Sequence, residues 1–463
     1  MYNVPADFIN EAKIWEALEA NKNPEPSRIK EVLQKAAEMK GLNADDVAVL
    51  TCISDPEMLA ELFTTANTVK ETIYGKRLVL FAPLYISNLC ANECLYCAFR
   101  ATNKDIDRHA LSQEHIAREV EVLINQGHKR VLLVAGESYP NQGFQYVLDS
   151  IRTIYGVKNK HGEIRRVNVN VAPLSTDEFK QLKAEGIGTY QIFQETYHHE
   201  TYHKVHLGGK KRDYNWRAWS LHRAMEAGID DVGIGVLFGL FDYRFEILAM
   251  MQHIRELEDK FGVGPHTISV PRLEPATNSD LASHPPFPVS DIDFRKIVAI
   301  LRLAVPYTGI IMSTRETAKM RRETFALGVS QISAGSKTNP GGYEEEDEIS
   351  SQFSLGDHRP LDEVIRDVAS MGYIPSFCTA CYRLGRTGQD FMDLAKPGDI
   401  RLHCAPNGLS SFKEYLQNYA APETKEIGEK LIRDTIAGMS GIARQRAEKL
   451  VKRVEAGRDD VYC

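Results

Sequence analysis

From residue 77 onward, short apolar runs alternate with amphipathic stretches, and this alternation constrains the fold more than any other feature of the chain. Eight runs have the composition of strands, and the stretches between them carry apolar residues at helical spacing and often end in glycine. The strand candidates are RLVLFAPLYIS, RVLLVAGE, RRVNVNVAPL, TYQIFQET, DVGIGVLFGL, HTISVPRL, TGIIMSTRE and VSQISAGS. Eight strand-helix repeats predict an α/β fold, a complete (βα)8 TIM barrel over residues 77–372.

Two further segments flank the predicted barrel. Residues 1–76 carry apolar residues at helical spacing, divided by Pro, Asn and Asp, and predict an N-terminal helical extension. Residues 373–463 predict a mostly helical C-terminal domain that begins with a cysteine-containing stretch. We therefore expect three parts, with the barrel in the middle.

Polar side chains lie at the predicted carboxyl ends of the strands, where barrel enzymes place their chemistry. They include Glu137 after strand two, Glu195 after strand four, Arg272 after strand six, Arg315 after strand seven and Ser333 after strand eight. Each of them alone could be a structural cap or a solvated charge. Because all of them meet at one rim of the barrel, they indicate an active site there.

Three cysteines lie within eight residues, CANECLYC, directly after the first predicted strand. Cys90, Cys94 and Cys97 do not suit a disulfide cluster, because the chain has 463 residues and 8 cysteines and its start lacks an apolar signal core. They do not suit structural zinc either, because zinc needs four ligands and no His lies nearby. Three thiolates suit a cubane [4Fe-4S] cluster in which one iron stays open to another ligand.

A second set of three cysteines opens the C-terminal domain. Cys378, Cys381 and Cys404 have spacings that also occur in zinc ribbons, so a zinc site completed by His403 or His358 is an alternative to a second iron-sulfur cluster.

Net charge and hydropathy exclude two classes of partner. The net charge of -7 does not favour nucleic acid, and no apolar run approaches the roughly 18 residues that a membrane span requires. We therefore expect a cytoplasmic protein that binds neither. Iron held by exposed cysteines also requires a reducing, anoxic environment.

The stretch CANECLYC resembles the CxxxCxxC signature of radical S-adenosylmethionine (radical SAM) enzymes. The resemblance implies a [4Fe-4S] cluster and S-adenosylmethionine as cofactors, with Tyr96 against the adenine. The stretch AGES is similar to the Gly-Gly-Glu element of that family, which implies that Gly136, Glu137 and Ser138 lie against the methionine part. Glu195 is expected to accept hydrogen bonds from the ribose hydroxyls.

A narrower resemblance covers nearly the whole chain. The stretches QETYHHETYHKVH, PHTISVPRLEPA, STRET and ISAGSKTNPGGY are similar to the aromatic amino acid lyases. Two members of that family cleave tyrosine: the 2-iminoacetate synthase of thiazole biosynthesis and the tyrosine lyase of [FeFe]-hydrogenase maturation. The C-terminal cysteine set is similar to that of the maturation enzyme and absent from the thiazole enzyme.

The resemblance to the maturation enzyme implies a reaction and partners. L-tyrosine would be split at Cα-Cβ into p-cresol and dehydroglycine, and the fragment converted into carbon monoxide and cyanide on iron for the H-cluster. The implied partners are a reductant of the ferredoxin or flavodoxin type and a scaffold protein of hydrogenase maturation. Thiazole synthesis and a non-catalytic iron-sulfur scaffold remain as alternatives.

The substrate carboxylate requires a clamp, and a guanidinium binds a carboxylate through two parallel hydrogen bonds. Arg315 is the first candidate, with Ser333 as a hydrogen-bonding partner, and Arg272 is the second. Either arginine could instead pair with Glu316 or Glu274.

The resemblance also implies an auxiliary [4Fe-4S] cluster with an additional iron at the C-terminal cysteines. That iron needs an imidazole or oxygen ligand, because the thiolates are bound to the cubane. His266, at the start of strand six, is the candidate, and a histidine satisfied in the core is the alternative.

Overall fold

The computed structural model describes residues 7–345 and 350–463. Eight parallel strands form a closed barrel, in which the last strand pairs with the first. The strands are β1 (Arg77–Ser87), β2 (Arg130–Ala135), β3 (Arg166–Asn170), β4 (Tyr190–Gln191), β5 (Val232–Gly235), β6 (Thr267–Ser269), β7 (Gly309–Met312) and β8 (Val329–Ser333). The prediction of a complete (βα)8 barrel is confirmed.

Four helices precede the barrel, and they pack on its outer helices. They are α1 (Glu11–Ala20), α2 (Pro26–Ala36), α3 (Ala44–Thr51) and α4 (Pro56–Tyr74). The polar residues between them are N-caps: the Asn43 side chain accepts from the Asp46 amide in a reciprocal capping box, and Asp55 caps α4. The Asn and Asp residues before the helices therefore satisfy the first backbone amides of α1, α3 and α4, whereas α2 begins with Pro26 and has no side-chain cap.

The barrel helices cover the outer faces of the strands, which explains why the strands are nearly continuous apolar runs. They are α5 (Gln113–Gln126), α6 (Gln145–Gly156), α7 (Thr176–Ala184), α8 (His199–Val205), α9 (Tyr214–Ala218), α10 (Ser220–Glu226), α11 (Tyr243–Phe261), α12 (Asp280–Ser283), α13 (Asp291–Ala304), α14 (Ala318–Phe325) and α15 (Leu361–Ser370).

A ninth strand, β9 (Ile374–Ser376), lies beside the beginning of β1, where Arg77 is paired with Ile374 and Val79 with Ser376. Five helices follow: α16 (Ala380–Arg383), α17 (Gly388–Ala395), α18 (Arg401–Asn418), α19 (Pro422–Gly438) and α20 (Gly441–Glu455). The C-terminal segment thus lies at the amino ends of the strands. The division into three parts stays a prediction, and β9 joins the segment after residue 372 to the barrel sheet.

A short antiparallel ribbon at the other end of the barrel connects the first cysteine loop to the loop after β4. Glu93 is paired with Gly208, and Cys94 with His206. A second ribbon joins Lys158–Asn159 to Gly162–Glu163. Among the described residues, no helix is both long and apolar enough to cross a membrane.

Candidate active site at the carboxyl ends of the barrel strands

A cavity of ≈ 1350 Å³, including its open mouth, occupies the carboxyl-end half of the barrel. All three cysteines of the first set line it, together with Glu137, Glu195, Arg315 and Ser333. The structure therefore brings the predicted rim residues together, with the exception of Arg272.

The cysteine loop is fixed by hydrogen bonds from other parts of the chain. The Arg108 guanidinium donates to the carbonyls of Asn88, Phe99 and Asn103 at 3.3, 3.1 and 3.1 Å. Because one side chain binds several carbonyls of the loop, the loop has a defined shape before any ligand binds.

The three thiols of this loop are removed from water. Burial raises the pKa of Cys90 to about 11, and it also raises the pKa values of Cys94 and Cys97 above the usual thiol range. Thiols in such a site become thiolates when a metal supplies the compensating charge.

The backbone at Gly136 lies very close to the cysteine loop. Its amide donates to the Ser87 carbonyl at 2.9 Å, and a Cβ at this position would lie 2.2 Å from the Leu89 carbonyl oxygen. Only glycine permits this approach. Ser138, two residues later, is half-buried, and its role stays a prediction.

Glu137 is held as a half-buried carboxylate. Its Oε1 accepts from Arg217 Nη1 at 2.8 Å and its Oε2 accepts from Asn92 Nδ2 at 2.7 Å. Burial by itself would raise the pKa of Glu137, but the neighbouring charges of Arg217 and Lys211 lower it below the usual range. Glu137 is therefore ionised and directed by two neighbours.

Glu195 has a left-handed backbone conformation, with φ of 72°, which is unusual for a residue with a long side chain. Its Oε1 accepts from Lys211 Nζ at 2.6 Å and lies 3.5 Å from Arg217 Nη2. Such conformations are concentrated at functional sites, where the surrounding structure maintains the strain.

Tyr96 is positioned by a chain of two hydrogen bonds. His206 Nδ1 donates to the Tyr202 carbonyl at 2.8 Å, so His206 Nε2 accepts from the Tyr96 hydroxyl, also at 2.8 Å. Burial lowers the pKa of His206, which keeps its ring neutral and able to accept. The aromatic ring of Tyr96 is thereby fixed at the cavity wall.

Arg315 and Ser333 also line the cavity. The Arg315 guanidinium lies 3.2 Å from the centre of the Phe353 ring, and within residues 7–345 and 350–463 its side chain makes no hydrogen bond or ion pair. Ser333 Oγ accepts from the Thr314 amide at 3.1 Å, which fixes the hydroxyl beside the arginine. A half-buried guanidinium without an anionic partner is a suitable receptor for a carboxylate.

Arg272 is engaged elsewhere. Its Nε and Nη2 donate to the two carboxylate oxygens of Glu316, and its Nη1 donates to Asp291 and to the Val289 carbonyl, both at 3.0 Å. The structure thus pairs Arg272 with Glu316, one of the two partners considered from the sequence, and leaves Arg315 as the arginine available in the cavity.

The second cysteine set borders a smaller cavity of ≈ 560 Å³ at the amino ends of the strands. Cys378, Cys381 and Cys404 line it together with His266 and Arg77. The neighbouring Cys381 thiol, assisted by the charge of Arg77, lowers the pKa of Cys404 below the usual thiol range.

His266 at this cavity has a free ring nitrogen. Its Nδ1 is buried without a hydrogen-bond partner among the described residues and lies 3.7 Å from Asp231 Oδ1, and its ring packs on Phe391 at 4.3 Å. The structure brings His266 and the three cysteines to one cavity, as the sequence predicted, while the ligand role of His266 stays a prediction.

Comparisons with known proteins agree with this geometry. The Radical SAM superfamily matches residues 84–254, and the Biotin and Thiamin Synthesis associated domain matches residues 269–374. The 2-iminoacetate synthase of Escherichia coli (strain K12) is 32% identical over 361 residues, which are 77% of this chain and 92% of that enzyme. The chain is a radical SAM protein.

Two solved structures resemble this radical SAM chain over almost its full length. A crystal structure of HydG, a maturase of the [FeFe]-hydrogenase, has 49% sequence identity and a TM-score of 0.96, and the match covers 99% of this chain and 100% of that one. The FeFe-hydrogenase maturase HydG from Carboxydothermus hydrogenoformans has 42% identity and a TM-score of 0.84, with 96% and 97% covered.

Radical SAM enzymes use a [4Fe-4S] cluster and S-adenosylmethionine, and the site has suitable donors for both. Among the described residues, no group of three or more His, Cys, Asp or Glu side chains converges on a single metal ion. A cubane does not require such convergence, because each thiolate binds a different iron. A cluster at the first cysteine set agrees with the Radical SAM match, and a cluster at the second set stays a prediction.

Sequence reasoning missed Lys211 and Arg217 in this radical SAM site. Both are buried, both line the cavity, and together they pair with Glu137 and Glu195. The basic stretch GGKKRDYNWR was a signal for them, since charged residues are rarely buried without a partner.

Proposed function

We propose that this radical SAM protein is a carbon-carbon lyase that cleaves L-tyrosine between Cα and Cβ, releasing p-cresol and dehydroglycine. The C2 fragment is then converted into carbon monoxide and cyanide, which leave as an iron carbonyl-cyanide unit for H-cluster assembly. The full-length similarity to HydG supports this proposal. Its central structural support is the Arg315 guanidinium, half-buried in the cavity of the first cysteine set and without an anionic partner among the described residues.

The cofactor end of the cavity provides the radical. When bound, the cluster and S-adenosylmethionine supply a 5'-deoxyadenosyl radical that takes a hydrogen atom from the tyrosine amino group. Cys90, Cys94 and Cys97 hold three irons of the cluster. Gly136 lets the methionine part approach the backbone.

The side chains around the cofactor orient it. Glu137 binds the methionine ammonium and Glu195 the ribose hydroxyls, while Tyr96 packs on the adenine. Lys211 and Arg217 pair with both carboxylates and direct them into the cavity. A defined orientation of the cofactor supplies much of the rate enhancement in such reactions.

The substrate end of the cavity binds the amino acid. Arg315 donates two parallel hydrogen bonds to the tyrosine carboxylate, and the Ser333 hydroxyl donates a third. Phe353 keeps the guanidinium in place from behind. Such a clamp turns the substrate nitrogen toward the cofactor end.

The second cavity converts the fragment. Cys378, Cys381 and Cys404 hold an auxiliary [4Fe-4S] cluster, and His266 provides a ligand for an additional iron. The match to the Escherichia coli 2-iminoacetate synthase spans 77% of this chain but 92% of that enzyme, so a large part of this chain has no counterpart in the match. The HydG match covers 99% of the chain, and this difference in coverage favours the maturation function.

Two protein partners belong to the proposal. A reductant of the ferredoxin or flavodoxin type delivers the electron, and a scaffold protein of hydrogenase maturation receives the iron unit.

The alternative is a 2-iminoacetate synthase for thiazole formation, which the similarity to the Escherichia coli enzyme favours.

The test is to incubate the anaerobically reconstituted protein with S-adenosylmethionine, tyrosine and dithionite, and to measure p-cresol, cyanide and carbon monoxide together. All three products are expected. p-Cresol with glyoxylate, but without cyanide or carbon monoxide, would favour the thiazole enzyme, and no cleavage of S-adenosylmethionine would favour an iron-sulfur scaffold.

A further inference from the structure

Gln352 connects the segment after β8 to the first cysteine loop. Its amide donates to the Thr338 carbonyl at 2.9 Å, and its own carbonyl accepts from the Ala98 amide at 3.4 Å. Ala98 directly follows Cys97, so the backbone of Gln352 is anchored beside a proposed cluster ligand. Its side chain lines the large cavity.

The side-chain amide of Gln352 bridges two groups on the cavity wall. Tyr85 Oη lies 2.7 Å from Gln352 Oε1, and Gln352 Nε2 lies 3.7 Å from Cys97 Sγ, within hydrogen-bonding distance of sulfur. A ligating thiolate can only accept a hydrogen bond, so the NH2 end of the amide must be directed at Cys97. The oxygen end then accepts from Tyr85, whose hydroxyl must be the donor.

The geometry of Tyr85 is consistent with this direction. A phenol hydroxyl donates one hydrogen bond, and the 2.7 Å contact with Gln352 Oε1 uses it. The Tyr85 hydroxyl thus fixes the orientation of an amide that could otherwise rotate by half a turn.

We infer that Gln352 is a positioning residue that donates a hydrogen bond to the Cys97 thiolate and thereby raises the reduction potential of the radical SAM cluster, with Tyr85 fixing its orientation. The inference rests on the proposed function only in that Cys97 ligates this cluster. Hydrogen bonds to the sulfurs help to set the potentials of iron-sulfur clusters, because a donor stabilises the more negative, reduced state. Without this donor the cluster is harder to reduce.

Gln352→Met tests the inference, because it removes the donor at similar volume. The midpoint potential of the first cluster is measured by redox titration with electron paramagnetic resonance on the anaerobically reconstituted full chain. The potential should shift to a more negative value, and Tyr85→Phe should give a smaller shift of the same sign. Gln145→Met, an exposed glutamine on α6, is the matched control and should leave the potential unchanged.

Gln352→Glu covers the case in which Gln352→Met fails to assemble the cluster. It keeps the size and the bond from Tyr85, but it places a negative charge beside the sulfur, so its potential should also be more negative than that of the wild type. An unchanged potential in a variant with a full cluster would overturn the inference. Cleavage of tyrosine by the wild type is measured separately, so failure of the lyase proposal would be recognised independently of the potential.

Discussion

At the scale of single residues, the site depends on which charges are paired. Glu137 and Glu195 each have a cationic partner, whereas Arg315 has no anionic partner among the described residues. A charge is buried in this way only if a ligand provides the missing partner or if the energetic cost is accepted. On the proposed function, this unpaired arginine is the residue that binds the carboxylate of the substrate.

Arg315→Lys should weaken tyrosine turnover more than binding of S-adenosylmethionine. A lysine keeps the charge but loses the second parallel hydrogen bond, which costs about 1.5–3 kcal/mol, or roughly 10- to 150-fold in kcat/KM. Steady-state kinetics with varied tyrosine would measure it. Arg272→Lys is the matched control and should mainly lower the free energy of unfolding, because Arg272 is paired with Glu316. The reverse pattern would assign the clamp to Arg272.

The sequence predicted two kinds of residue in this site: residues that are close to one another along the chain, and residues at the ends of strands. The spacing of Cys90, Cys94 and Cys97 is local, so it could be read directly. The pairing of Arg217 with Glu137 spans 80 residues, and nothing in the local pattern indicates it. The pairing of Arg272 with Glu316 also depends on how two strand ends meet, which only the three-dimensional structure gives.

At the scale of secondary-structure elements, the period of the apolar residues predicted all eight strands but not their lengths. β4 has two residues although its apolar run is longer. Beyond Gln191 the chain still donates to β5 through the Ile192 and Gln194 amides, up to Glu195 with its left-handed conformation. β9 was missed because it is short and contains Pro375, which sequence rules assign to an edge strand or to no strand. It is an edge strand, paired with β1 alone.

A pH effect is expected where α11 meets the loop after β4. Glu246 accepts from the Thr196 hydroxyl and the Tyr197 amide, and burial raises its pKa to about 8. Between the usual glutamate pKa and about pH 8, Glu246 is neutral in the folded protein and ionised in the unfolded chain. The stability that is fully present below the usual glutamate pKa is therefore lost as the pH rises to about 8. Wild type should therefore lose stability relative to Glu246→Gln in this window, by at most about 1.4 kcal/mol per pH unit.

Urea unfolding of the wild type and of Glu246→Gln at pH 5.5, 7 and 8.5 measures this difference. Glu256→Gln, on the same helix, is the control and should retain the pH dependence of the wild type. Parallel pH profiles for the wild type and Glu246→Gln would contradict the prediction.

The contact between α5 and α18 depends on a glycine. Gly127 ends α5 with φ of 101°, and a Cβ there would lie 2.6 Å from the Tyr415 ring and 3.0 Å from the Tyr419 ring. Gly127→Ala should lower the free energy of unfolding by more than the roughly 1–2 kcal/mol that the left-handed backbone alone costs, because α18 must also move. Urea unfolding would measure the loss.

Gly262→Ala is the matched control for this substitution. Gly262 ends α11 with φ of 76°, and a Cβ there would meet no atom within 4 Å. It should show the backbone cost alone. Equal losses for Gly127→Ala and Gly262→Ala would mean that α18 does not depend on this contact.

At the scale of the whole molecule, the two cysteine sets lie at opposite ends of one barrel, so their chemistry should be separable. Replacing Cys378 and Cys381 by Ala should leave cleavage of tyrosine to p-cresol intact and abolish release of carbon monoxide. Loss of a bound cluster can also unfold a domain, so circular dichroism and the iron content of the first site are the controls. A folded double variant that still releases carbon monoxide at the native rate would contradict the prediction.

β1 determines how far apart these two ends are. It begins at Arg77 beside the second cavity, ends at Ser87 just before the first cysteine loop, and is paired with neighbouring strands on both edges. Eleven residues of extended chain span about 33–36 Å. Such a strand is a rigid spacer of constant length, so the two ends cannot approach each other during turnover, and any intermediate made at one end has to travel the whole distance to the other.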